Sequence, residues 1–465
     1  MRTSFQESTP LLSFLNLLER SGYFGLQSFF VFYFIQTKGL NDLEVYTLFG
    51  LFYGLTFLLT PFSAFIIDKA RHPILLYKVG FYLMPFGFLL FLAEMPLAHS
   101  LGMSLLIFGS SFFRILVPIL LGEYCDTQDE SKRNQHFRSL YTYGNVGSFL
   151  SPMITGFISL YFHWTGALIF IALLYAIGAL MMSLYSSSIF VEKRDTSVTM
   201  KTGLSLLLMA LGSLTALFFL AHEELYNYLY GVITLGVIIF LTYMNLTASK
   251  EYKKGLSIIN LMILFLFLFM SFYEQHSSSL NFFIMEHIDR DFFGHELPAN
   301  IYQSISPFMV VLFGPLIAKL LTRKEMAGIN ANIFIKIAFG FFFLGISYVF
   351  FSYMANFVLS QKFGPTHLLV LGFTFLAIGE VIFMPVIGAV ITKHSPKRLK
   401  GLYLSLQNLT TSSGFFFAIL LGKMTTQDLN LDGQTVDSYF QIYTGIAVAC
   451  LLMALTNYII SRKRG

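Results

Sequence analysis

Charged residues are scarce in this chain of 465 residues. Asp, Glu, Lys and Arg make up only 12% of it, whereas 55% of the residues are hydrophobic and 17% are aromatic. Soluble domains are about 25% charged, so the composition excludes an ordinary soluble protein. The two cysteines, Cys125 and Cys450, are too few to predict a disulfide framework. The N-terminal stretch MRTSFQESTP lacks the apolar core and cleavage site of a secretory leader, so we expect the first apolar run to be retained.

Motifs of catalysis and nucleotide binding are also absent. The His-Glu pairs at His222 and His295 are followed four residues later by Tyr226 and Ala299 rather than by a second histidine. Neither a G-x-S-x-G pattern nor a P-loop occurs. The sequence therefore predicts no enzyme, no metal site and no nucleotide-driven pump.

Long apolar runs dominate the chain instead. About 20 residues of helix cross a hydrocarbon core of about 30 Å, and these runs are long enough to do so. The period-two alternation of membrane β-strands is missing, so the runs are predicted to be helices. Fourteen runs lie at 11–36, 43–67, 73–93, 99–122, 138–161, 165–186, 203–221, 226–247, 256–285, 299–322, 330–355, 367–392, 401–422 and 440–461.

Basic residues indicate which connections face the cytoplasm. Most of the 30 Lys and Arg residues fall in alternate connections, such as DKAR at 68–71, SKRNQHFR at 131–138 and SRKRG at 461–465. Because Lys and Arg are enriched in cytoplasmic loops, both termini are predicted to be cytoplasmic. This distribution also accounts for the net charge of +5 without a nucleic-acid partner.

The spacing of the basic segments suggests a division into three parts. The longest ones, 187–202 and 248–255, flank one isolated pair of runs. We therefore predict an all-α membrane protein of the major facilitator fold, with an N-terminal six-helix bundle at 1–186, a linker with two extra membrane helices at 187–255 and a C-terminal six-helix bundle at 256–465. The two extra runs contain no charged residue, so we expect a lipid-facing appendage.

Five ionisable residues lie well inside apolar runs: Glu19, Arg20, Arg114, Glu274 and Glu380. An unpaired charge in mid-membrane costs at least about 2.5 kcal/mol, so each residue must face protein or water and is a candidate functional residue. Neighbouring helix positions point about 100° apart. Glu19 and Arg20 are therefore predicted to be separate members of a polar cavity wall. The alternative for all five is a structural role in buried ion pairs.

The charged residues of the first run belong to a longer motif. Asn16, Glu19, Arg20 and Tyr23 share one helix face in NLLERSGYFG at 16–25. This stretch resembles ExxERFxYYG, the first-helix motif of the proton-coupled oligopeptide transporters. Four further matches follow in that family's order: LYTYGNVG at 140–147 for FYxxINxG, EQHSS at 274–278 for acid-Gln-Gln-Gly-Ser, QSISPF at 303–308 for QSxNPxF, and GEV at 379–381 with SPKRLKG at 395–401 for GE followed by PxxxxG. The chain thus resembles a divergent bacterial-type member of this branch of the major facilitator superfamily.

The resemblance implies roles for the matched residues. Arg20 and Arg114, the latter in place of the family's usual lysine, would bind a substrate carboxylate, and Glu380 would bind the substrate's amino group. Glu274 would be the titrating acid, with Glu19 as a second proton-coupling residue; a purely helix-binding carboxyl at 274 is the alternative. The remaining substrate-binding residues would be Tyr23, Tyr141, Asn145, Ser306 and Gln407.

Departures from the family motifs leave the substrate open. Asn16 stands where the motif has its first glutamate, and an amide carries no titratable proton. Two expected tryptophans correspond to Met270 and Gln407, and Ser306 replaces an asparagine. The flat aromatic walls that sort peptide side chains are therefore missing. A carrier, importing or exporting, for another amine- or carboxylate-bearing metabolite and a non-transporting peptide sensor stay alternatives.

Charge counting gives the expected mechanism. Three acids, Glu19, Glu274 and Glu380, stand against two arginines, so the formal sum is minus one and one proton neutralises it. A neutral carrier loaded with a zwitterion can reorient across a low-dielectric gate more readily than a charged one. We expect a monomeric proton-coupled importer of di- and tripeptides or similar zwitterions in the inner cell membrane. It would work by alternating access, with a lipid bilayer around it and with no cofactor besides the proton.

Overall fold

The computed structural model describes residues 2–70, 72–93, 95–125, 130–185, 201–292, 294–326, 332–361, 363–395, 400–425 and 435–464. Most of the predicted basic linker at 187–202 and of SPKRLKG at 395–401 lies outside these residues. Within them the chain forms fifteen α-helices and two short antiparallel strands, β1 (Asp291–Phe292) and β2 (His295–Glu296). The helices are α1 (Arg2–Gln36), α2 (Asp42–Leu58), α3 (Thr60–Lys69), α4 (Pro73–Leu92), α5 (Pro96–Cys125), α6 (Glu130–Tyr185), α7 (Thr202–Ala221), α8 (Glu223–Thr247), α9 (Lys250–Tyr273), α10 (Ser279–His287), α11 (Ile305–Met326), α12 (Ile333–Ser360), α13 (Thr366–His394), α14 (Lys400–Met424) and α15 (Thr435–Arg464).

The helices are those of a multi-pass membrane protein. Eleven segments of the described residues are long and apolar enough to cross a membrane. The longest, Gln135–Tyr185, has 51 residues, whereas about 20 suffice for one crossing. It belongs to α6, whose helical backbone is interrupted at His163 with φ 54° and ψ −176°. The all-helical class is confirmed, and the count of fourteen spans stays a prediction.

The chain forms two compact units. Unit 1 comprises Met1–Gly39 and Thr47–Leu229, and unit 2 comprises Leu40–Tyr46 and Tyr230–Gly465. Both α2 and α8 therefore have residues in each unit. The division into two bundles and a separate linker, with the boundaries given above, stays a prediction.

Close helix packing defines unit 1. Its most extensive contact joins α1 to α6, and α4 packs on both α5 and α6. Glycine permits the first of these contacts, because a Cβ at Gly147 would lie 2.6 Å from the carbonyl oxygen of Leu17. Aromatic rings fill the space beside α1, where Phe30 packs against Phe52 and Tyr53. This packing fixes the polar face of α1 against α6.

Unit 2 is organised around α12, which packs along both α13 and α15, while α9 packs on α14 and α13. The rings of Phe269 in α9 and Phe383 in α13 are stacked with centroids 4.0 Å apart and planes 4° apart. The first turn of α2 also belongs here. Its Tyr46 ring stacks on Phe282 at 4.4 Å, and its hydroxyl lies 3.3 Å from Oγ1 of Thr425.

The two extra helices each pack on the rest of the chain through one narrow face. The buried face of α7 consists of Ser205, Met209, Gly212, Ser213 and Ala216, and it packs on α5. In α8, the Tyr230 ring stacks on Phe416 at 4.7 Å, and its hydroxyl hydrogen-bonds to Ser412. Large apolar side chains elsewhere on both helices are exposed, among them Leu207, Leu214, Val232 and Ile239. Such surfaces suit contact with lipid.

The contact between α4 and α5 yields a test of the packing. A Cβ at Gly102 would lie 2.5 Å from the backbone nitrogen of Phe91 and 2.6 Å from the carbonyl oxygen of Gly87. Neither atom can move without shifting α4, so Gly102→Ala should destabilise the protein by about 1 to 3 kcal/mol. Thermal unfolding of the purified protein in detergent measures this. Gly236→Ala is the matched control, because no atom lies within 4 Å of a Cβ there. Equal melting temperatures for the two variants would contradict this account of the packing.

Candidate functional site

Glu19 and Arg20 of α1 contact each other directly. Arg20 Nε lies 3.6 Å from Glu19 Oε2, and the Glu19 side chain is 5% exposed. The expectation that these neighbours are separate members of a cavity wall is wrong in this respect, because their long side chains bend around the helix to meet. Arg114 of α5 also lies within electrostatic range of Glu19. These three residues, which we call the positive group, have a net formal charge of +1.

Aromatic rings hold the guanidinium of Arg114. Its Cζ lies 3.9 Å from the ring centroid of Phe57 and 4.7 Å from that of Tyr23. Tyr23 in turn packs edge-to-face on Tyr53 with centroids 5.4 Å apart. A planar guanidinium stacks on rings in a way that a lysine ammonium does not, so arginine suits this position. Phe57 was missed by the sequence argument, because one of 54 Phe residues in apolar runs carries no distinguishing signal.

Asn16 joins two helices. Its Nδ2 donates a hydrogen bond to the carbonyl oxygen of Leu140 at 3.0 Å, and Asn16 is 7% exposed. A Cβ at Gly144 would lie 2.8 Å from this Nδ2, so α6 approaches the amide closely. Where the family motif has a titratable glutamate, this chain therefore has an amide that hydrogen-bonds α1 to α6.

Tyr141 and Asn145 lie one turn apart on α6. Tyr141 is 58% exposed, and Asn145 Nδ2 donates to the Tyr141 carbonyl oxygen at 2.9 Å within the same helix. Their predicted part in binding a peptide backbone stays a prediction.

In unit 2 the helix carrying Glu274 is broken at this residue. The α-helix α9 ends at Tyr273, a 3₁₀ turn covers Glu274–His276, and α10 begins at Ser279. Ser278, with φ −111° and ψ −96°, has a non-helical backbone. Ser277 Oγ donates a hydrogen bond to Glu274 Oε2 at 3.0 Å. Glu274 therefore lies at the interruption between α9 and α10, which together form the span predicted at 256–285.

Side chains from neighbouring helices bind the carbonyls near this break. Tyr348 Oη of α12 donates to the carbonyl oxygen of Phe272 at 2.5 Å. Gln303 Nε2 donates to that of His276 at 2.7 Å. Buried carbonyls that leave a helical ladder need such donors, since none come from lipid. Gln303 belongs to the QSISPF motif, so two motifs that are separate in sequence meet here.

Glu380 of α13 meets the same region through Tyr273, whose Oη donates a hydrogen bond to Glu380 Oε2 at 2.7 Å. Ser306 of α11 lies close to the Tyr273 hydroxyl. Three predicted residues, Glu274, Ser306 and Glu380, are thus brought together around one tyrosine that the sequence argument missed. Gln407 of α14 makes no side-chain hydrogen bond to the described residues and does not join them. Glu274 and Glu380, which we call the negative pair, have a formal charge of −2.

In the part of the chain that the structure describes, no group of three His, Cys, Asp or Glu side chains could hold a metal ion. A positive group in unit 1 and a negative pair in unit 2 are instead its main chemical features. Both consist of buried or half-buried ionisable residues on membrane helices, a placement typical of substrate and proton pathways.

Comparison with known proteins decides the family. The model of the POT family matches residues 51–437. The chain belongs to the POT family. Two relatives are each named dipeptide and tripeptide permease A. The Serratia proteamaculans protein is 23% identical over 97% of this chain and 90% of its own length; the Erwinia pyrifoliae protein is 23% identical over 97% and 94%.

Solved POT structures share the fold. A peptide transporter POT in complex with sulfate has a TM-score of 0.84 at 18% identity, covering 98% of this chain and 94% of its own. A POT family transporter in complex with 5-aminolevulinic acid has a TM-score of 0.80 at 19% identity, covering 98% and 96%. The predicted major facilitator fold is confirmed. POT family members are transporters, so the prediction that the chain is not an enzyme is confirmed as well.

The Asn16 contact predicts a structural role in place of proton transfer. Asn16→Asp keeps the shape but turns the donor into a carboxylate that faces the Leu140 carbonyl oxygen, so we expect a loss of about 1 to 3 kcal/mol in stability at pH 7. Ser13→Ala is the control on the same helix, since the contact of Ser13 Oγ with Ser139 of α6 is long, at 3.4 Å. Thermal unfolding in detergent compares the two. Wild-type stability of Asn16→Asp would show that this bond does not hold α1 to α6.

Proposed function

We propose that this POT family protein is a proton-coupled importer of di- and tripeptides or similar zwitterions. The observation that carries the proposal is the match of the POT family model to residues 51–437. The permeases named for dipeptides and tripeptides favour this reading over a carrier for another metabolite.

The binding roles follow from the chemistry of the side chains. Arg20 and Arg114 receive the substrate carboxylate, because guanidinium groups pair with carboxylates in a planar fork. Glu380 receives the amino group. Hydrogen bonds to the rest of the substrate come from polar side chains that the sequence motifs pick out, namely Tyr23, Tyr141, Asn145, Ser306 and Gln407.

Glu274 carries the coupling proton. It lies at the break between α9 and α10, where Ser277 donates a hydrogen bond to it, and it is the acid of the matched EQHSS motif. The formal charges of the positive group and the negative pair add up to −1. One proton on any of the three acids therefore brings this sum to zero. A proton moving through about 100 mV releases about 2.3 kcal/mol, and one pH unit adds about 1.4. That sum exceeds the roughly 2.7 kcal/mol needed for hundredfold accumulation.

Location and assembly complete the proposal. The basic connections support an inner-membrane protein with both termini in the cytoplasm. We infer that one copy in a lipid bilayer is sufficient for transport, that the proton is the coupling ion and that no other cofactor is required.

Uptake into proteoliposomes tests the function. With an inward proton gradient, the purified protein should accumulate a labelled dipeptide, and collapse of the gradient with a protonophore should abolish accumulation. Liposomes without protein are the control. Peptide binding without uptake would instead indicate a sensor, and uptake that ignores the gradient would contradict proton coupling.

Replacing Glu274 distinguishes proton coupling from movement of the peptide across the membrane. Glu274→Gln keeps the size and hydrogen bonds but holds the side chain neutral, as in the protonated form. We expect gradient-driven accumulation to fall to background while exchange of labelled for unlabelled peptide at equal pH persists. Both are measured in the same proteoliposomes.

The control for this variant is Glu286→Gln, which changes an acid in α10 whose side chain is 41% exposed. It should transport as the wild type does. Accumulation that survives in Glu274→Gln would show that another group carries the proton.

A further inference from the structure

The hydroxyl of Tyr273 connects α9 to α13 in unit 2. Tyr273 is the last residue of α9 and directly precedes Glu274. Its Oη donates to Glu380 Oε2 of α13 at 2.7 Å, and Ser306 of α11 lies close to the same hydroxyl. None of the family motifs quoted above includes Tyr273, yet it hydrogen-bonds to Glu380, which is predicted to bind substrate.

Packing holds the Tyr273 ring in place. The ring stacks on Phe269, one turn earlier, with centroids 5.9 Å apart and planes 16° apart. The centroid of the His276 ring lies 4.7 Å from that of Tyr273. The preceding carbonyl, that of Phe272, is bound by Tyr348. The hydroxyl is therefore presented to Glu380 from a fixed position.

One oxygen of Glu380 stays available. Oε2 is occupied by Tyr273, while no described residue donates a hydrogen bond to Oε1. A carboxylate fixed at one oxygen has a defined direction for the second, and an ammonium group offers three donors to it. Without the phenol, the Glu380 side chain would be free to adopt other rotamers, at an entropic cost when a ligand binds.

We propose that Tyr273 is a positioning residue that sets the selectivity of Glu380 for substrates with a free amino group. This inference rests on the proposed function, in which Glu380 receives that group. Tyr273 acts through Glu380 and does not itself contact the amine. Substrates that lack the amine should therefore be insensitive to the Tyr273 hydroxyl.

Competition binding to the full-length purified protein tests the inference. The probes are the dipeptide Ala-Ala and its desamino analogue, N-propionyl-alanine, which differs only in the missing amino group. Tyr273→Phe keeps the ring and removes the hydroxyl. We expect Ala-Ala to bind about tenfold more weakly, the effect of losing one charge-assisted hydrogen bond, and the analogue to change less than twofold.

Matched variants separate positioning from folding. Tyr403→Phe removes another buried hydroxyl of unit 2, one that has no hydrogen-bond partner among the described residues, and should bind both probes normally. In a Glu380→Gln background, Tyr273→Phe should add no further loss.

The outcomes distinguish this inference from the proposed function. Equal weakening of both probes in Tyr273→Phe, or an additional loss in the Glu380→Gln background, would overturn the positioning role while leaving peptide transport intact. A wild-type protein that binds Ala-Ala no better than its desamino analogue would overturn the role of Glu380 in the proposed function, and the inference with it.

Discussion

A helix interrupted inside the membrane must find hydrogen bonds for the backbone groups it releases, and this requirement organises unit 2. Lipid supplies no donors, so the carbonyls of Phe272 and His276 are bound by Tyr348 and Gln303 from neighbouring segments. These bonds hold the end of α9 in one orientation. That orientation places Tyr273 against Glu380 and leaves Glu274 at the break.

A related constraint shapes unit 1, where buried charge must be balanced. Glu19 offsets part of the charge of Arg20, and aromatic faces cover Arg114. The balance is incomplete, with a net formal charge of +1. An anionic ligand therefore gains from entering, whereas a fully neutralised cluster would offer it nothing. Each unit thus keeps an excess of formal charge among its membrane helices.

The sequence predicted those features that follow from the energetic cost of placing a residue in lipid or from the order of motifs along the chain. Helical spans follow from apolar length, and Glu274 and Glu380 stand out because charge is expensive in lipid. Contacts between individual side chains were harder to predict from the sequence. The meeting of Glu19 and Arg20 depends on rotamers rather than on helix angle, and the bond from Asn16 to Leu140 depends on which helix lies opposite. Tyr273 was overlooked because a tyrosine in an apolar run carries no charge to mark it.

The number of charges moved with each substrate tests the central claim most directly. In proteoliposomes at equal pH, a tenfold inward gradient of a zwitterionic dipeptide can be opposed by a membrane potential until net flux is zero. One proton per peptide predicts balance at about 59 mV. Balance at about half that value, or a flux that ignores voltage, would contradict a carrier in which a single proton neutralises the two charged clusters.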